Sequence, residues 1–265
     1  NETSGTIASD TSGKGRHGDV NDVNGVSWVN DAERGRCLDF AGGDYVLDND
    51  ANLYLNGLHG LTMCLWVKNR ETIAIDQGFI IFEDPIGNDD RDMRYDAAGA
   101  NGGGVSVIKC GVTTTATTGQ VQQIESSNNS QTTAWQHLAL TWSTGEQLKL
   151  YINGVLDTPT DNRPGTVGVT TGATSLIVGK GCKDGAATAG WNGLIDYFQI
   201  YKYAVSAVEV ATVKAGCAIA PKPVHYPPPS SAEVYEGEAQ GSRVINFKDY
   251  AELVDNWLLE IKYPQ

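Results

Sequence analysis

The sequence predicts an all-β chain, a two-layer antiparallel β-sandwich, and three observations carry that prediction. Short apolar or alternating runs recur from residue 37 to residue 201. Clusters of Gly, Asn and Asp punctuate them at the spacing of a sandwich or barrel. The 31 Gly and abundant Thr, Val and Tyr stand beside only 2 Met, a composition of short strands and many turns and not of a helical bundle.

In chain order, the runs are CLDFAGGDYV (37–46), LTMCLWVK (61–68), GFIIF (78–82), VSVIKC (105–110), WQHLALTW (135–142), QLKLYING (147–154), SLIVG (175–179) and GLIDYFQIY (193–201). Alternation sets Leu65 and Val67 opposite Trp66, and divides Leu194, Tyr197 or Phe198, and Ile200 between two faces. Ser206 with Glu209 three residues later is a capping box, which predicts one short helix after the last strand. Between 218 and 231 the text AIAPKPVHYPPPSS holds five of the nine prolines and predicts an extended, semi-rigid linker. Beyond it, 232–265 begins acidic and ends in an amphipathic helix whose stripe is Phe247, Tyr250, Val254, Trp257, Leu258 and Ile261, with Asn246 as N-cap. Such a helix, marginal alone in water, predicts docking on its own domain or on another chain. The expected domains are therefore 1–217, the linker 218–231, and the terminal element 232–265.

With 265 residues the chain can bury a sizeable core. The 19 Lys plus Arg against 32 Asp plus Glu give a net charge of −13, which repels phosphate backbones and makes nucleic acid a poor partner. No uninterrupted apolar run approaches the roughly 18 residues of a membrane span. The cysteines are Cys37, Cys64, Cys110, Cys182 and Cys217, without a CxxC pair. Cys37 and Cys64 read as core residues in apolar strands; pairing among the other three stays open, and an odd count leaves one thiol free or bonded to another chain. A start at Asn1 without a basic-plus-apolar leader fits either a processed exported chain or one trimmed ahead of Asn1, and the expected location is extracellular or cell-surface.

The succession NETSGTIASDTSGKGRHG, GRCLDFAGGDYV, LTMCLWVK, WQHLALTW, LKLYINGV, LIVGKG and GLIDYFQIYKYAVSAVEV resembles the laminin-G-like jelly roll of the concanavalin A-like superfamily over about residues 1–214. The resemblance implies two stacked antiparallel sheets, with Trp66, the apolar residues of LALTW and Ile195 facing inward. It also implies an apolar strand ahead of NETSG; its absence here would leave an edge open to β-augmentation by another segment or chain. The tail resembles half of a dockerin-like repeat. With Asp249 as last ligand, Ile245 and Asn246 match, but the oxygen positions fall on Glu238, Gln240 and Ser242 and the usual Gly is Arg243. This reads as a metal-free helical docking element.

Calcium is the expected cofactor. Asp10, Ser12, Gly13, Gly15 and His17 form a Gly-rich loop of hard oxygen donors, and the resemblance implies that Asp196 closes it. The alternative is an Asx-turn at Asp10 and a hydrogen-bonded Asp196. The run EDPIGNDDRDMRYD puts Glu83, Asp84, Asp89, Asp90, Asp92 and Asp96 in one expected loop, either a solvated face, a second cation site or a rim for sugar hydroxyls. Trp66, Trp142 and Trp191 read as core or sheet-edge rings. A sugar-stacking platform requires two of Trp28, Tyr54, Tyr95 and Trp191 on one exposed face, and Asp89, Asp90, Asp92, Tyr95 and Trp191 are the candidate ligand contacts.

No strand shows the paired carboxylates of a glycosidase, no G-x-S-x-G elbow is present, and His17, His59, His137 and His225 are scattered. The chain is expected not to be an enzyme. Its expected work is extracellular recognition or adhesion, binding a glycan or a surface protein with calcium as stabiliser. The alternative is a self-assembling subunit whose arm carries Phe247, Tyr250, Val254, Trp257 and Leu258.

Overall fold

The computed structural model describes residues 5–21, 27–70, 74–83, 92–99, 103–117, 122–157, 166–183, 186–216 and 219. The chain divides into a unit of residues 1–221 and one of 222–265. Residues 84–91, with Asp84, Asp89 and Asp90, lie outside the described residues, as does all of 220–265. Most of the expected linker, the dockerin-like half-repeat and the stripe of Phe247, Tyr250, Val254, Trp257 and Leu258 therefore lie outside them too.

Among the described residues, seventeen strands and two short α-helices form within the first unit. One sheet has eight strands in the order β1 (Ile7–Ala8), β2 (Gly18–Asn21), β5 (Tyr45–Asp48), β14 (Ser175–Val178), β7 (Gln77–Glu83), β8 (Asp92–Asp96), β9 (Val107–Val112) and β10 (Gln122–Glu125). The other has seven, in the order β13 (Val155–Leu156), β12 (Lys149–Ile152), β11 (Gln136–Ser143), β6 (Gly60–Asn69), β17 (Asn192–Tyr201), β4 (Gly35–Ala41) and β3 (Ser27–Asp31). A separate hairpin is made by β15 (Lys180–Lys183) and β16 (Ala186–Gly190). Every pairing is antiparallel. The segment expected to lack a partner strand supplies β1, an edge of the eight-stranded sheet.

The two sheets close over one apolar core that includes Phe40, Met63, Leu65, Val67, Phe79, Ile108, Leu138, Leu140, Trp142 and Ile195. Burial of side chains this large dominates the stability, at about 1.5–3 kcal/mol each. Strand alternation settles the facing of β6. Met63, Leu65 and Val67 point into the core, so Trp66 points out, against the inward placement that the resemblance implied. Its ring instead lies under the Arg34 guanidinium, 4.2 Å from the centroid, and edge-on to His137 at 5.3 Å.

Helix α1 (Asn52–Leu55) follows β5 and buries Tyr54 and Leu55. Helix α2 (Ala207–Lys214) begins at the expected box: Ser206 Oγ accepts from Glu209 N–H, and the Glu209 carboxylate accepts from Ser206 N–H at 2.7 Å. Its Val210 and Val213 cover Cys64, Ala139 and Tyr151 on the outer face of the seven-stranded sheet. The expected run 147–154 stops at Ile152, because Asn153 and Gly154 take φ of 53° and 81° and turn the chain into β13. Asn-Gly is the pair that tolerates left-handed backbone at both turn positions.

Candidate functional site

The acidic run is not one loop. Its last five residues are β8, and alternation along Asp92–Asp96 puts Asp92, Arg94 and Asp96 on the outer face while Met93 and Tyr95 enter the core. Taking this strand as loop hides the carboxylates it carries at alternate positions. Arg94 sits between the two acids, donating from Nη1 to Asp92 Oδ2 at 3.1 Å and from Nη2 to Asp96 Oδ2 at 3.2 Å. All three residues are buried, and Lys109, paired in register with Arg94, is buried beside them.

The β15–β16 hairpin contributes to that cover. Gly78 of β7 and Gly181 of β15 meet backbone to backbone, and a Cβ on either residue would collide with the other. A Cβ on Gly181 would also stand 3.2 Å from Asp92 Oδ2. Asp92 thus supports the underside of a hairpin and presents no exposed sugar contact. Tyr95 and Trp191 are likewise removed from the candidate ligand contacts. Both are 0% exposed, and with Phe79 they form a core triad with ring centroids 4.8–5.6 Å apart in edge-to-face geometry. The Tyr95 hydroxyl donates to Gln136 Oε1 at 2.9 Å, and the Trp191 indole N–H to the Leu194 carbonyl at 3.3 Å. Their polar atoms are satisfied inside.

An open strip lies on the same outer face. Val20 and Val46 point into the core, so their neighbours Asp19 and Asn21 on β2, and Tyr45 and Leu47 on β5, point out. Register sets Asn21 opposite Tyr45 and Asp19 opposite Leu47. Tyr45 and Leu47 are half-buried against Ile81 and Ile177, Asp19 is exposed, and Lys180 Nζ stands 3.9 Å from the Tyr45 ring centroid. A half-open ring among carboxylate, amide and ammonium groups offers an apolar face and directional polar partners together. Sequence reasoning misses these residues, although the alternation in GDVN and in YVLD places them.

The predicted metal residues are held by other partners. Asp10 Oδ1 accepts from Ser12 N–H at 2.8 Å and Oδ2 from Arg16 N–H at 3.1 Å, while Asp10 N–H donates to His17 Nδ1 at 3.1 Å. This is the Asx-turn alternative. Burial alone would raise the Asp10 carboxyl, but these hydrogen bonds, with Ser12 foremost, bring it below the ordinary value. Gly15 takes φ of 70° at the loop's bend. Asp196 is bound by Arg34 on the outer face of the seven-stranded sheet, Oδ2 accepting from Nε and Nη2 at 2.9 Å each. Burial raises its carboxyl in spite of that partner. Among the described residues, no three His, Cys, Asp or Glu side chains gather as a metal site.

A laminin-G family profile, described as the concanavalin A-like lectin/glucanases superfamily, matches residues 40–211. The chain belongs to this superfamily. No curated protein matches it. Among solved structures, the lectin/glucanase-like chain is similar to domain 4 of AbnA, a GH43 extracellular arabinanase from Geobacillus stearothermophilus solved in complex with arabinotriose. That match has 20% identity and a TM-score of 0.53, covering 78% of this chain and 92% of that one. It is also similar to the binding domain of Paraclostridial Mosquitocidal Protein 1, at 15% identity and a TM-score of 0.56 over 78% of this chain and 49% of that one. A botulinum neurotoxin type C structure, whose cell entry depends on two ganglioside molecules, matches at 14% identity and a TM-score of 0.55, over 78% and 48%. The chain spans about half the length of these two toxin chains. At such identities the likeness is one of fold.

Proposed function

We propose that this superfamily member is a non-catalytic recognition module that works outside the cell and binds saccharide on the strip of Asp19, Asn21, Tyr45, Leu47 and Lys180. The partly exposed Tyr45 ring, with Lys180 beside it, carries the reading, because a sugar needs a flat apolar surface for its C–H face and polar groups around it for its hydroxyls. Similarity to an arabinanase domain solved with arabinotriose supports the choice of saccharide. The non-catalytic reading is supported by β8, where both carboxylates are buried on Arg94 and out of reach of a solvent-side substrate. No described helix is long and apolar enough to cross a membrane.

Isothermal titration against arabinotriose, followed by an oligosaccharide array, tests the proposal. Wild type binds at least one neutral oligosaccharide, and Tyr45→Ala weakens it by about tenfold or more while still melting cooperatively, at a temperature lowered by the lost packing on Ile81 and Ile177. No binding anywhere on the array, or undiminished binding by Tyr45→Ala, overturns it. Self-association is the second reading, favoured by the edge strand β13, where Val155 and Leu156 are 70% and 45% exposed. Light scattering separates the two, with a monomer expected from recognition and oligomers from assembly.

A further inference from the structure

The loop expected to hold a cation surrounds itself with cations. Lys14 and Arg16 project from the turn between β1 and β2, and Lys202 follows the end of β17. Arg16 Cζ stands 3.9 Å from the centroid of the Tyr54 ring, and Lys202 Nζ stands over the same ring at 5.9 Å. Lys14 is exposed, while Arg16 and Lys202 are half-buried. In a chain of net charge −13, among the described residues, none of the three forms an ion pair with a carboxylate.

Two carboxylates act on Tyr54, and each already holds hydrogen bonds of its own. Asp48 Oδ2 accepts from the Tyr54 hydroxyl at 2.6 Å and Oδ1 from Asp50 N–H at 2.9 Å. Asp10 accepts from backbone N–H groups of its own turn. Gly13 and Gly15, at φ of 78° and 70°, bend the turn that carries Lys14 and Arg16, of which Arg16 reaches Tyr54 and Lys14 is exposed. Lys202 is held below its ordinary pKa by burial first and then by the charges of Arg16 and Lys14, which is how like charges brought together behave. Cation–π attraction to Tyr54 offsets part of this repulsion. A bound anion would relieve the rest.

We propose that Arg16 and Lys202 over the Tyr54 ring, with Lys14 of the same turn, form a binding site for an oxyanion, a sulfate or carboxylate group carried on a saccharide, the saccharide carrier resting on the recognition function proposed above. Arg16 supplies the planar fork suited to two oxygens of one group, and the two lysines supply point charges. The buried Tyr54 ring and the Asp10 turn hold the arginine in place before the ligand arrives. This site shares no residue with the Tyr45 strip.

Titration of the full chain with glucose 6-sulfate, glucuronate, inorganic sulfate and a neutral oligosaccharide tests it. The expected result is binding of the sulfated sugar or the uronate, weakening as salt is raised, and falling by about tenfold or more in the K14Q/K202Q double variant and further in R16Q. K14Q/K202Q leaves Arg16 on Tyr54 and so keeps its fold, which its melting curve checks. Neutral-sugar binding stays unchanged in both variants, so a loss confined to anionic probes separates this site from the Tyr45 strip. Tighter binding of inorganic sulfate than of either sugar, equal binding by wild type and variants, or no binding of any anionic probe overturns the proposal.

Discussion

His137 shows what an imidazole costs when a sheet buries it without a counter-charge. It is 1% exposed on β11, its Nδ1 has no hydrogen-bond partner, and its pKa is lowered from 6.5 to about 4, by burial first and then by Lys214 and Arg34. The unfolded chain therefore takes up a proton near pH 6.5 that the folded chain refuses until about pH 4. Stability from this residue is complete above the upper value and is lost on acidification through that window, by about 3 kcal/mol. Denaturant melts at steps between the two pH values should show this slope, and His137→Phe should flatten it. Asp31 adds a second slope at lower pH. Burial alone would raise its carboxyl, but Lys68, the Trp135 indole N–H and the backbone N–H groups of Glu33 and Arg34 hold it well below the ordinary 3.8. Its contribution is present above that value and is lost as pH falls toward the depressed one. Arg34→Ala should cost about 1–3 kcal/mol, since it uncovers Trp66 and strips a half-buried Asp196 of its partner. Chemical denaturation measures that loss.

At the scale of elements, two features allow sharp substitutions. Ser206→Ala removes the acceptor for Glu209 N–H at the start of α2 and should cost about 1 kcal/mol. Gly78→Ala should do more, because the new methyl meets the Gly181 backbone and the β15–β16 hairpin must lift from β7. Overpacking of this kind costs about 1–3 kcal/mol. Near-UV circular dichroism of the Phe79, Tyr95 and Trp191 triad beneath the hairpin should change with it, and an unaltered spectrum and melt would show that the hairpin is not seated as described. The capping box and the strands at 61–68 and 135–142 were legible in the sequence, because period and cap chemistry are local, but the facing of 61–68 was not: Leu65 and Val67 enter the core where Trp66 was expected. Strand β8 was not legible. DMRYD alternates charge with apolar side chains, but its outer face is buried, so the usual link between charge and solvent failed there. Tyr95 shows the same limit, since a ring's place in core or surface depends on which sheet faces it, while Trp191 lies in the core, as the sequence reads it, and not among the ligand contacts.

For the whole molecule, Asp10 and Asp196 turn to different partners, one inside its own turn and the other toward Arg34. Excess chelator should therefore leave the melting temperature unchanged, and a fall would restore the expected calcium. The order of runs along the chain specified the sandwich. The proposed strip was beyond reach from sequence because its members, Asp19, Tyr45 and Lys180, are distant in the chain and meet only through the register of β2 with β5 and the placing of Lys180 over Tyr45.

Cys37, Cys64 and Cys110 are free thiols sealed beneath packed side chains, and burial raises all three well above their ordinary 9.0. Thiolate is the reactive form, so these three thiols are inert to alkylating reagents in the folded domain and reactive in the opened chain. In a variant carrying Cys182→Ser and Cys217→Ser, the colour released from an aromatic disulfide reagent would act as a clock, three equivalents marking each molecule that has come apart.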